Sequence, residues 1–261
     1  MSRVAIVGLG YVGLPLAINV SRVGHVVVGV DNNATLVDRL SAGKSHIGDV
    51  SDSELYGAIQ KCHLRFDANF NSISDCEIVV ICVPTPLDAD RNPDTSYLED
   101  AVRAVASNLQ ANTLLISEST SYPGTVRDLI YPIIKSVRGD ISDSIDLVSA
   151  PERVDPGNQT YKHSNTPRVI GGMTPEASLR AANFYKSFTS EVISVSGPEA
   201  AEAAKLLENT FRQVNIAFVN EFAQVCRKLD VDVREVIAAA SSKPYGFMPF
   251  QPSAGVGGHC I

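Results

Sequence analysis

Short apolar runs alternate with amphipathic segments along most of the chain. Runs of this kind that end in glycine or proline are typical of buried parallel strands, and the segments between them have helical periodicity. Predicted strands cover residues 4–7, 26–30, 78–83, 114–116, 147–149, 169–172 and 192–195, and predicted helices cover 12–23, 33–42, 52–60, 97–109, 125–137 and 175–188. This alternation predicts an α/β fold, a Rossmann-like doubly wound parallel sheet.

The pattern changes after Gly197. Residues 199–229 contain no strong helix breaker and predict one long helix, and residues 233–240 predict another. A glycine-rich loop follows over 253–261. We therefore expect two domains: a dinucleotide-binding domain over 1–196 and a helical segment over 197–261.

The first strand leads into a glycine-rich turn, Gly8-Leu9-Gly10-Tyr11-Val12-Gly13. This GxGxxG sequence follows a strand, opens a helix and has Asp31 at the end of the next strand, which is the context that gives the motif its specificity. Gly8 permits the tight turn, Gly10 lets a pyrophosphate approach the backbone, and Gly13 allows close packing of helix and strand. Because Asp31 accepts from ribose hydroxyls and repels a 2′-phosphate, the predicted cofactor is NAD rather than NADP.

Three further segments follow predicted strands and should meet at the carboxyl edge of the sheet. They are Val83-Pro84-Thr85, Ser119-Thr120 and Pro151-Glu152. Ligands of open α/β sheets bind at this edge. Turns occur there in any such sheet, so their position alone leaves a binding role and a purely structural role equally open.

Two features of the helical segment carry chemistry. Lys205, Asn209 and Arg212 share one narrow helix face and can grip a phosphate or carboxylate, although such a stripe is more often only a solvated face. Cys260, next to His259, stands in a glycine-rich loop, where it is either a covalent nucleophile or an incidental thiol.

Composition narrows the class of partner. The 261 residues have a net charge of −7, which argues against nucleic-acid and anionic-membrane partners. No apolar run is long enough to cross a bilayer, and Met1 leads straight into a strand, so we expect no signal peptide. The five scattered cysteines indicate a reduced cytoplasmic protein without a metal site.

The whole chain resembles the nucleotide-sugar 6-dehydrogenase family, the UDP-glucose and UDP-N-acetylhexosamine dehydrogenases. Six motifs in order carry the resemblance: residues 7–15, Cys82-Val83-Pro84-Thr85-Pro86, Glu118-Ser119-Thr120 with Pro123-Gly124-Thr125, Ala150-Pro151-Glu152-Arg153, residues 205–209, and Gly257-Gly258-His259-Cys260-Ile261. The resemblance implies a twofold oxidation of a sugar 6-hydroxyl by NAD, through a thiohemiacetal and a thioester on the cysteine, to give a uronate for surface polysaccharide precursors.

The resemblance also implies a role for each matching position. Cys260 is the nucleophile, Lys205 stabilises the oxyanion with the help of Asn209, and Glu152 and Thr120 position water and relay protons. The substrate contacts implied or predicted in this way are Glu152, Arg153, Val154, Lys205, Asn209 and Arg212, and the cofactor contacts are Gly8, Gly10, Tyr11, Val12, Gly13, Asp31, Val83, Pro84, Thr85 and Thr120. The long helix that begins near Glu199 is the implied homodimer interface.

The motif Glu152-Arg153-Val154-Asp155-Pro156 resembles the N-acetylhexosamine branch, because the UDP-glucose enzymes usually carry a second glutamate at the position of Pro156. UDP-N-acetylglucosamine is the first candidate substrate, and UDP-N-acetylmannosamine and UDP-glucose remain alternatives. Other readings are a β-hydroxyacid dehydrogenase or an inactive NAD-binding or dimerisation module. Family members continue past the cysteine into a UDP-binding domain, so we expect these 261 residues alone to bind NAD and to be nearly inactive.

Overall fold

The computed structural model describes residues 1–61, 63–153, 160–161 and 164–255. The chain divides into two compact units, Met1–Lys205 and Leu206–Ile261, which we call the sheet unit and the helical unit. The domain boundary expected near Gly197 stays a prediction.

The described residues of the sheet unit form one eight-stranded sheet. Its strands are β1 (Arg3–Val7), β2 (Val26–Val30), β3 (Leu64–Asp67), β4 (Ile78–Ile81), β5 (Leu114–Ser117), β6 (Asp146–Ser149), β7 (Arg168–Gly172) and β8 (Val192–Ser194), in the order β3-β2-β1-β4-β5-β6-β7-β8. The order reverses between β1 and β4, which creates the crevice where such sheets bind nucleotides. The predicted Rossmann-like doubly wound fold is confirmed.

One neighbouring pair departs from the parallel arrangement. β7 runs antiparallel to β6, with Val148 opposite Gly172 and Ser149 opposite Gly171. Continued by three residues, this register sets Arg168 level with Glu152. The reversal therefore brings the first residue of β7 to the edge where the parallel strands end.

Most of the helices connect strands, and the last two follow the final strand. They are α1 (Gly13–Arg22), α2 (Ala34–Ser41), α3 (Asp52–Lys61), α4 (Ser96–Ala106), α5 (Tyr131–Val137), α6 (Pro175–Lys186), α7 (Pro198–Lys228) and α8 (Val233–Ser241). A π-helical turn, Thr125–Ile130, precedes α5, and short 3₁₀ turns cover Phe70–Ile73 and Ser142–Ser144. Asn33 and Thr174 cap α2 and α6 by accepting the amides of Leu36 and Ala177, both at 3.1 Å.

The core lies on both faces of the sheet. Along β1, Val4 and Ile6 join one apolar cluster while Ala5 and Val7 join the other, as the twofold period of a strand requires. Burial on both faces explains why the central strands are apolar at consecutive positions.

In the helical unit, α7 extends past the unit boundary and α8 follows it. Val219, Cys226 and Ile237 are its buried apolar side chains among the described residues. None of the described helices is long and apolar enough to cross a lipid bilayer.

Candidate active site

The glycine turn leaves room for a ligand above its backbone. Gly8 has a φ of +89°, a left-handed conformation that favours glycine. A Cβ on Gly13 would collide with the carbonyl oxygen of Gly8, whereas a Cβ on Gly10 would meet no atom within 4 Å. Gly8 and Gly13 are therefore needed for packing within the turn. Gly10 leaves open space at the position where a pyrophosphate must approach.

Helix α1 begins directly after this turn. Val12 occupies its N-cap position and its side chain has no hydrogen-bond acceptor, so the helix N-terminus is not capped by that side chain. Amides at such a terminus bind phosphate oxygens. Tyr11 is 57% exposed beside them. These residues fit the phosphates of a dinucleotide.

Asp31 is tied to the same turn. Its Oδ2 accepts the Leu9 amide at 2.9 Å, and its Oδ1 accepts the Asn33 amide at 3.0 Å. Each carboxylate oxygen has a second lone pair that can accept from a ribose hydroxyl. The carboxylate therefore fixes the turn and also faces the position predicted for the adenosine ribose.

Hydrogen bonds join the carboxyl ends of β4 and β5. The Ser119 hydroxyl donates to the Val83 carbonyl at 2.7 Å, and the Thr85 hydroxyl donates to the Thr120 carbonyl. Thr85 and Thr120, predicted from separate motifs, are therefore in direct contact, and Pro84, just before Thr85, is exposed. Ser119 holds the two segments together, a role that the sequence did not reveal.

A buried group of charged side chains stands at the same edge. We call Glu118, Glu152, Arg168 and Tyr185 the carboxyl cluster. Arg168 lies 3.2 Å from Glu118 through Nη1 and 2.5 Å from Glu152 through Nη2. The Tyr185 hydroxyl donates to Glu118 Oε1 at 2.6 Å, and the Arg168 guanidinium lies 5.3 Å from the centre of the Tyr185 ring.

The electrostatics of the carboxyl cluster follow from its burial. Desolvation, opposed by Arg168 and supported by the charge of Glu152, raises the pKa of Glu118 to about 8. Burial also raises the pKa of Tyr185 and of the neighbouring Cys82 thiol, so both stay neutral. For Arg168, burial alone lowers the pKa, but Glu118 and Glu152 outweigh it and raise the pKa.

Glu152 is 7% exposed and is oriented by backbone as well as by Arg168. Its Oε1 accepts the Arg153 amide at 2.7 Å, and its own amide donates to the Glu118 carbonyl at 3.2 Å. The Arg153 guanidinium donates to the Pro167 carbonyl at 2.9 Å. Glu152 is thus a preorganised carboxyl group at the edge predicted to hold the site.

The first turns of α7 are fastened to the sheet unit through Glu202. This carboxylate, 3% exposed, accepts the amides of Gly124 at 2.6 Å and Val126 at 3.1 Å. Burial raises the pKa of Glu202, against the effect of these amides. Lys205 follows three residues later on the same helix and is half-buried, so Glu202 fixes the turn that carries it.

Asn209 and Arg212 meet within the helical unit, where Arg212 Nη2 donates to Asn209 Oδ1 at 3.1 Å. Asn220, further along α7, accepts the Ser253 amide at 2.8 Å. That contact holds the chain shortly before the predicted nucleophile. Cys260 and Val154 lie outside the described residues, so their predicted roles rest on sequence.

Comparison with known proteins gives two family matches in order along the chain. Residues 2–189 match the NAD binding domain of the UDP-glucose/GDP-mannose dehydrogenase family, and residues 199–261 match its central domain. Together they cover most of the chain.

Individual relatives agree with these matches. The chain is 35% identical to a UDP-N-acetyl-D-glucosamine 6-dehydrogenase of Pseudomonas aeruginosa, covering 99% of this chain and 60% of that protein. It is 37% identical to a UDP-N-acetyl-D-mannosamine dehydrogenase of Pyrococcus horikoshii, covering 99% and 62%. A solved structure of the Pyrococcus horikoshii UDP-D-ManNAc dehydrogenase superposes with a TM-score of 0.92 at 36% identity, again over 99% and 62%.

Fold and site together define an NAD-binding protein of the Rossmann class, and the matching NAD-binding domain confirms the predicted cofactor. The chain belongs to the UDP-glucose/GDP-mannose dehydrogenase family. It spans about 60% of the length of the curated relatives it matches.

Proposed function

We propose that the whole protein to which this chain belongs oxidises the 6-hydroxyl of a UDP-N-acetylhexosamine twice, giving the uronate. The observation that carries the proposal is the buried carboxyl of Glu152, held at the same sheet edge as the glycine turn and Thr120. A carboxyl group fixed there can move protons beside a bound nicotinamide. The names of the relatives supply the sugar class.

Bound NAD supplies an acceptor for hydride from carbon 6. The chain's own residues do the rest in this proposal: Glu152 takes the proton of the 6-hydroxyl, directly or through water held by Thr120, and Lys205 and Asn209 stabilise the oxygen as it becomes negative. Arg153, Val154 and Arg212 hold the nucleotide sugar, whose negative charge guanidinium groups recognise.

Cys260 adds the second stage. Its sulfur bonds to the aldehyde carbon as the carbonyl π bond opens, and the thiol proton passes to the oxygen, which becomes the hydroxyl of a thiohemiacetal. Loss of the hydroxyl proton and of a second hydride, which a second NAD would accept, leaves a thioester. Water then adds to the carbonyl, the carbon–sulfur bond breaks, and the thiolate recovers a proton as the uronate leaves.

UDP-N-acetylglucosamine is the proposed substrate, and UDP-N-acetylmannosamine is the second candidate. Relatives named for both sugars match at similar identity. The motif around Glu152, with Pro156 in place of a second glutamate, favours the N-acetylhexosamines over UDP-glucose.

The test is NADH production by the whole protein with a panel of UDP-sugars. We expect two NADH for each uronate formed and the highest kcat/KM with UDP-N-acetylglucosamine. One NADH per sugar with an accumulated ketone would instead indicate a β-hydroxyacid dehydrogenase. Preference for UDP-glucose would refute the sugar assignment while leaving the reaction intact.

The covalent role of Cys260 needs its own test. Cys260→Ser in the whole protein should abolish net uronate formation and leave NAD affinity unchanged, because the glycine turn is untouched. Cys226→Ser is the matched control, since Cys226 is a buried thiol of the helical unit. Normal uronate formation by Cys260→Ser would refute the thioester.

We also propose that two copies pair through α7. Seven large apolar residues recur at intervals of three and four, which places them along one face of the helix: Leu207, Phe211, Val214, Phe218, Phe222, Val225 and Leu229. Each is at least 36% exposed. We call this face the apolar stripe; it is roughly 33 Å long at the helical rise.

A second copy is the proposed occupant because a twofold axis across α7 sets the stripe against itself and covers both copies at once. Light scattering of the 261-residue chain tests the proposal. A dimer is expected, and a strict monomer would refute pairing through α7.

We propose the cytoplasm as the site of action. The free cysteines among the described residues, Cys76, Cys82 and Cys226, are buried thiols, which agrees with a reducing compartment. Fractionation of cells that produce the protein tests this assignment, and recovery outside the cytoplasm would refute it.

A further inference from the structure

The carboxyl cluster contains more acidic groups than a single guanidinium can neutralise. Glu118 and Arg168 are each 1% exposed, and Glu152 is 7% exposed. If both carboxyls were ionised, two negative charges would stand against the one guanidinium of the cluster, away from water, which is costly. One proton on either carboxyl makes the cluster neutral.

Either carboxyl group, that of Glu118 or that of Glu152, can carry this proton. The Glu118 and Glu152 carboxyl groups interact with each other, which raises the pKa of Glu118, and two neighbouring carboxyl groups can share one proton. Arg168 faces both, at 3.2 Å from Glu118 and 2.5 Å from Glu152. The guanidinium can therefore stabilise whichever carboxyl is ionised.

The two carboxyls differ in what else they contact. The Glu118 carboxyl accepts a hydrogen bond from the Tyr185 hydroxyl in the core, where it also interacts electrostatically with the Cys82 thiol. Glu152 instead accepts the Arg153 amide at the sheet edge. Glu118 is thus the inner carboxyl and Glu152 the outer one.

We propose that Glu118 and Glu152 hold one proton between them, and that Glu118 is a positioning residue that gives this proton to Glu152 and takes it back. In the forward step the O–H bond of Glu118 breaks and an O–H bond forms on Glu152. Glu118 is left as a carboxylate, paired with Arg168 and hydrogen-bonded by Tyr185. The charge of the carboxyl cluster does not change.

Such an exchange suits a reaction that needs a base and an acid in turn. With the proton on Glu118, Glu152 is a carboxylate that can accept a proton from substrate or water. With the proton on Glu152, the same group can donate one. This use rests on the proposed function, whereas the shared proton does not.

The groups that act electrostatically on Glu118 are Arg168, Glu152, Tyr185 and Cys82. Tyr185 and Cys82 stay neutral, and Arg168 stays charged, because their pKa values are raised. Titration of this cluster near neutral pH therefore belongs to its two glutamates.

Infrared spectroscopy of the 261-residue chain can detect the proton without any enzyme assay. The carbonyl stretch of a protonated carboxyl should be present at neutral pH and disappear as the pH passes about 8. Glu118→Gln should abolish this band. Glu202→Gln, which removes a buried carboxyl outside the cluster, should leave it in place.

Two further variants should shift the pH at which half of the infrared band is lost, in opposite directions. Glu152→Gln removes a like charge and should lower the pH at which the band is lost, whereas Tyr185→Phe removes a donor to the carboxylate and should raise it. A band that survives in Glu118→Gln, or a wild-type chain with no such band, would overturn the proposal. If Glu118→Gln fails to fold, carbon-13 NMR of glutamate-labelled wild-type protein decides: two carboxyl resonances titrating together support it, and one alone overturns it.

Unfolding gives an independent readout. The pKa of Glu118 is about 8 in the folded chain against an ordinary 4.5, so the folded state binds more protons between these values. The free energy of unfolding should fall as the pH rises through this window, with the stabilisation fully present below 4.5 and lost above about 8. Glu118→Gln should remove this slope, and an unchanged slope would count against the assignment.

Activity separates the two proposals. In the whole protein, Glu118→Gln should lower kcat by about 10-fold or more and change the pH profile, while KM for the sugar stays nearly constant. An unchanged pH profile would overturn the role of Glu118 even if the infrared band is found. Absence of dehydrogenase activity in the wild type would refute the proposed function and leave the shared proton standing.

Discussion

The sheet unit and the helical unit treat their large apolar side chains in opposite ways. In the sheet unit the strands lie between two apolar clusters drawn from its own helices, and Val4 and Ile6 are fully buried. In the helical unit, Leu207, Phe218 and Leu229 are 70%, 64% and 68% exposed. The first unit completes its core from its own residues, whereas the second presents the kind of surface that marks an interaction site.

Charges follow the same division. The sheet unit buries the carboxyl cluster and neutralises it internally. In the helical unit, the Arg212–Asn209 contact is only half-buried. The sheet unit thus holds a buried group of charges that it pairs internally, whereas the described part of the helical unit leaves large apolar side chains exposed.

Of these predictions, Arg168→Met should cause the largest loss of unfolding free energy in the sheet unit. The change removes the cation from between two buried carboxyls, and removing one partner of a buried ion pair costs about 3–5 kcal/mol of unfolding free energy. Urea denaturation of the chain measures it. Arg127→Met is the control, because Arg127 and Glu199 form an ion pair whose side chains are 49% and 40% exposed, worth about 1 kcal/mol or less. Equal losses in both variants would contradict an internally neutralised cluster.

The next prediction concerns the helical unit and tests whether the apolar stripe is the dimer contact. Phe218→Glu places a charge in the middle of the proposed dimer contact and should raise its dissociation constant by about 30-fold or more, roughly 2 kcal/mol. Analytical ultracentrifugation over a concentration series measures this change. Leu179→Glu is the control, since Leu179 is 61% exposed on α6 in the sheet unit. Equal dimer strength in both variants would show that the stripe is not the contact.

Within the sheet unit, the Asp31 carboxylate holds the glycine turn and is also the predicted contact for the ribose of NAD. Asp31→Asn should weaken NAD binding by about 1–3 kcal/mol and relax the discrimination against NADP. Because both carboxylate oxygens accept backbone amides, the new NH₂ group must also face one of those donors. Fluorescence titration with each dinucleotide measures the effect, with exposed Asp38→Asn as control. Unchanged NAD affinity would contradict the ribose contact.

The smallest expected effect concerns α7, the helix that both units share. Glu202→Gln keeps one acceptor oxygen and leaves the Gly124 or Val126 amide without its bond, at a cost of about 1 kcal/mol. Thermal unfolding measures it, with Glu199→Gln as the exposed control. A larger loss in the control would mean that Glu202 does not anchor the helix.

The sequence predicted most of the fold because fully buried strands and amphipathic helices leave distinct patterns. It missed β3, since Leu64-Arg65-Phe66-Asp67 is a short edge strand that alternates in polarity and follows no apolar run. It also did not reveal that β7 is antiparallel, because an apolar run reads the same in either direction. The π-helical turn at Thr125–Ile130 lies where only a helix was predicted.

The candidate site divides in the same way. The glycine turn and Asp31 were identifiable because a motif fixes their spacing, and Thr85 and Thr120 because they follow strands. Arg168 and Tyr185 carry no such signal: one is a cation before a strand and the other a tyrosine within a helix. Both residues are distant from Glu118 in the sequence, and a local sequence pattern does not reveal contacts between distant residues.

The reversal of β7 has a consequence for how the family can diversify. The chain leaves β6 and enters β7 at the same edge of the sheet, so the stretch between Arg153 and Arg168 begins and ends at that edge. Its length and composition can change without shifting the register of either strand. Glu152 and Arg168 flank this stretch and contact each other, so a change in its sequence leaves the carboxyl cluster in place.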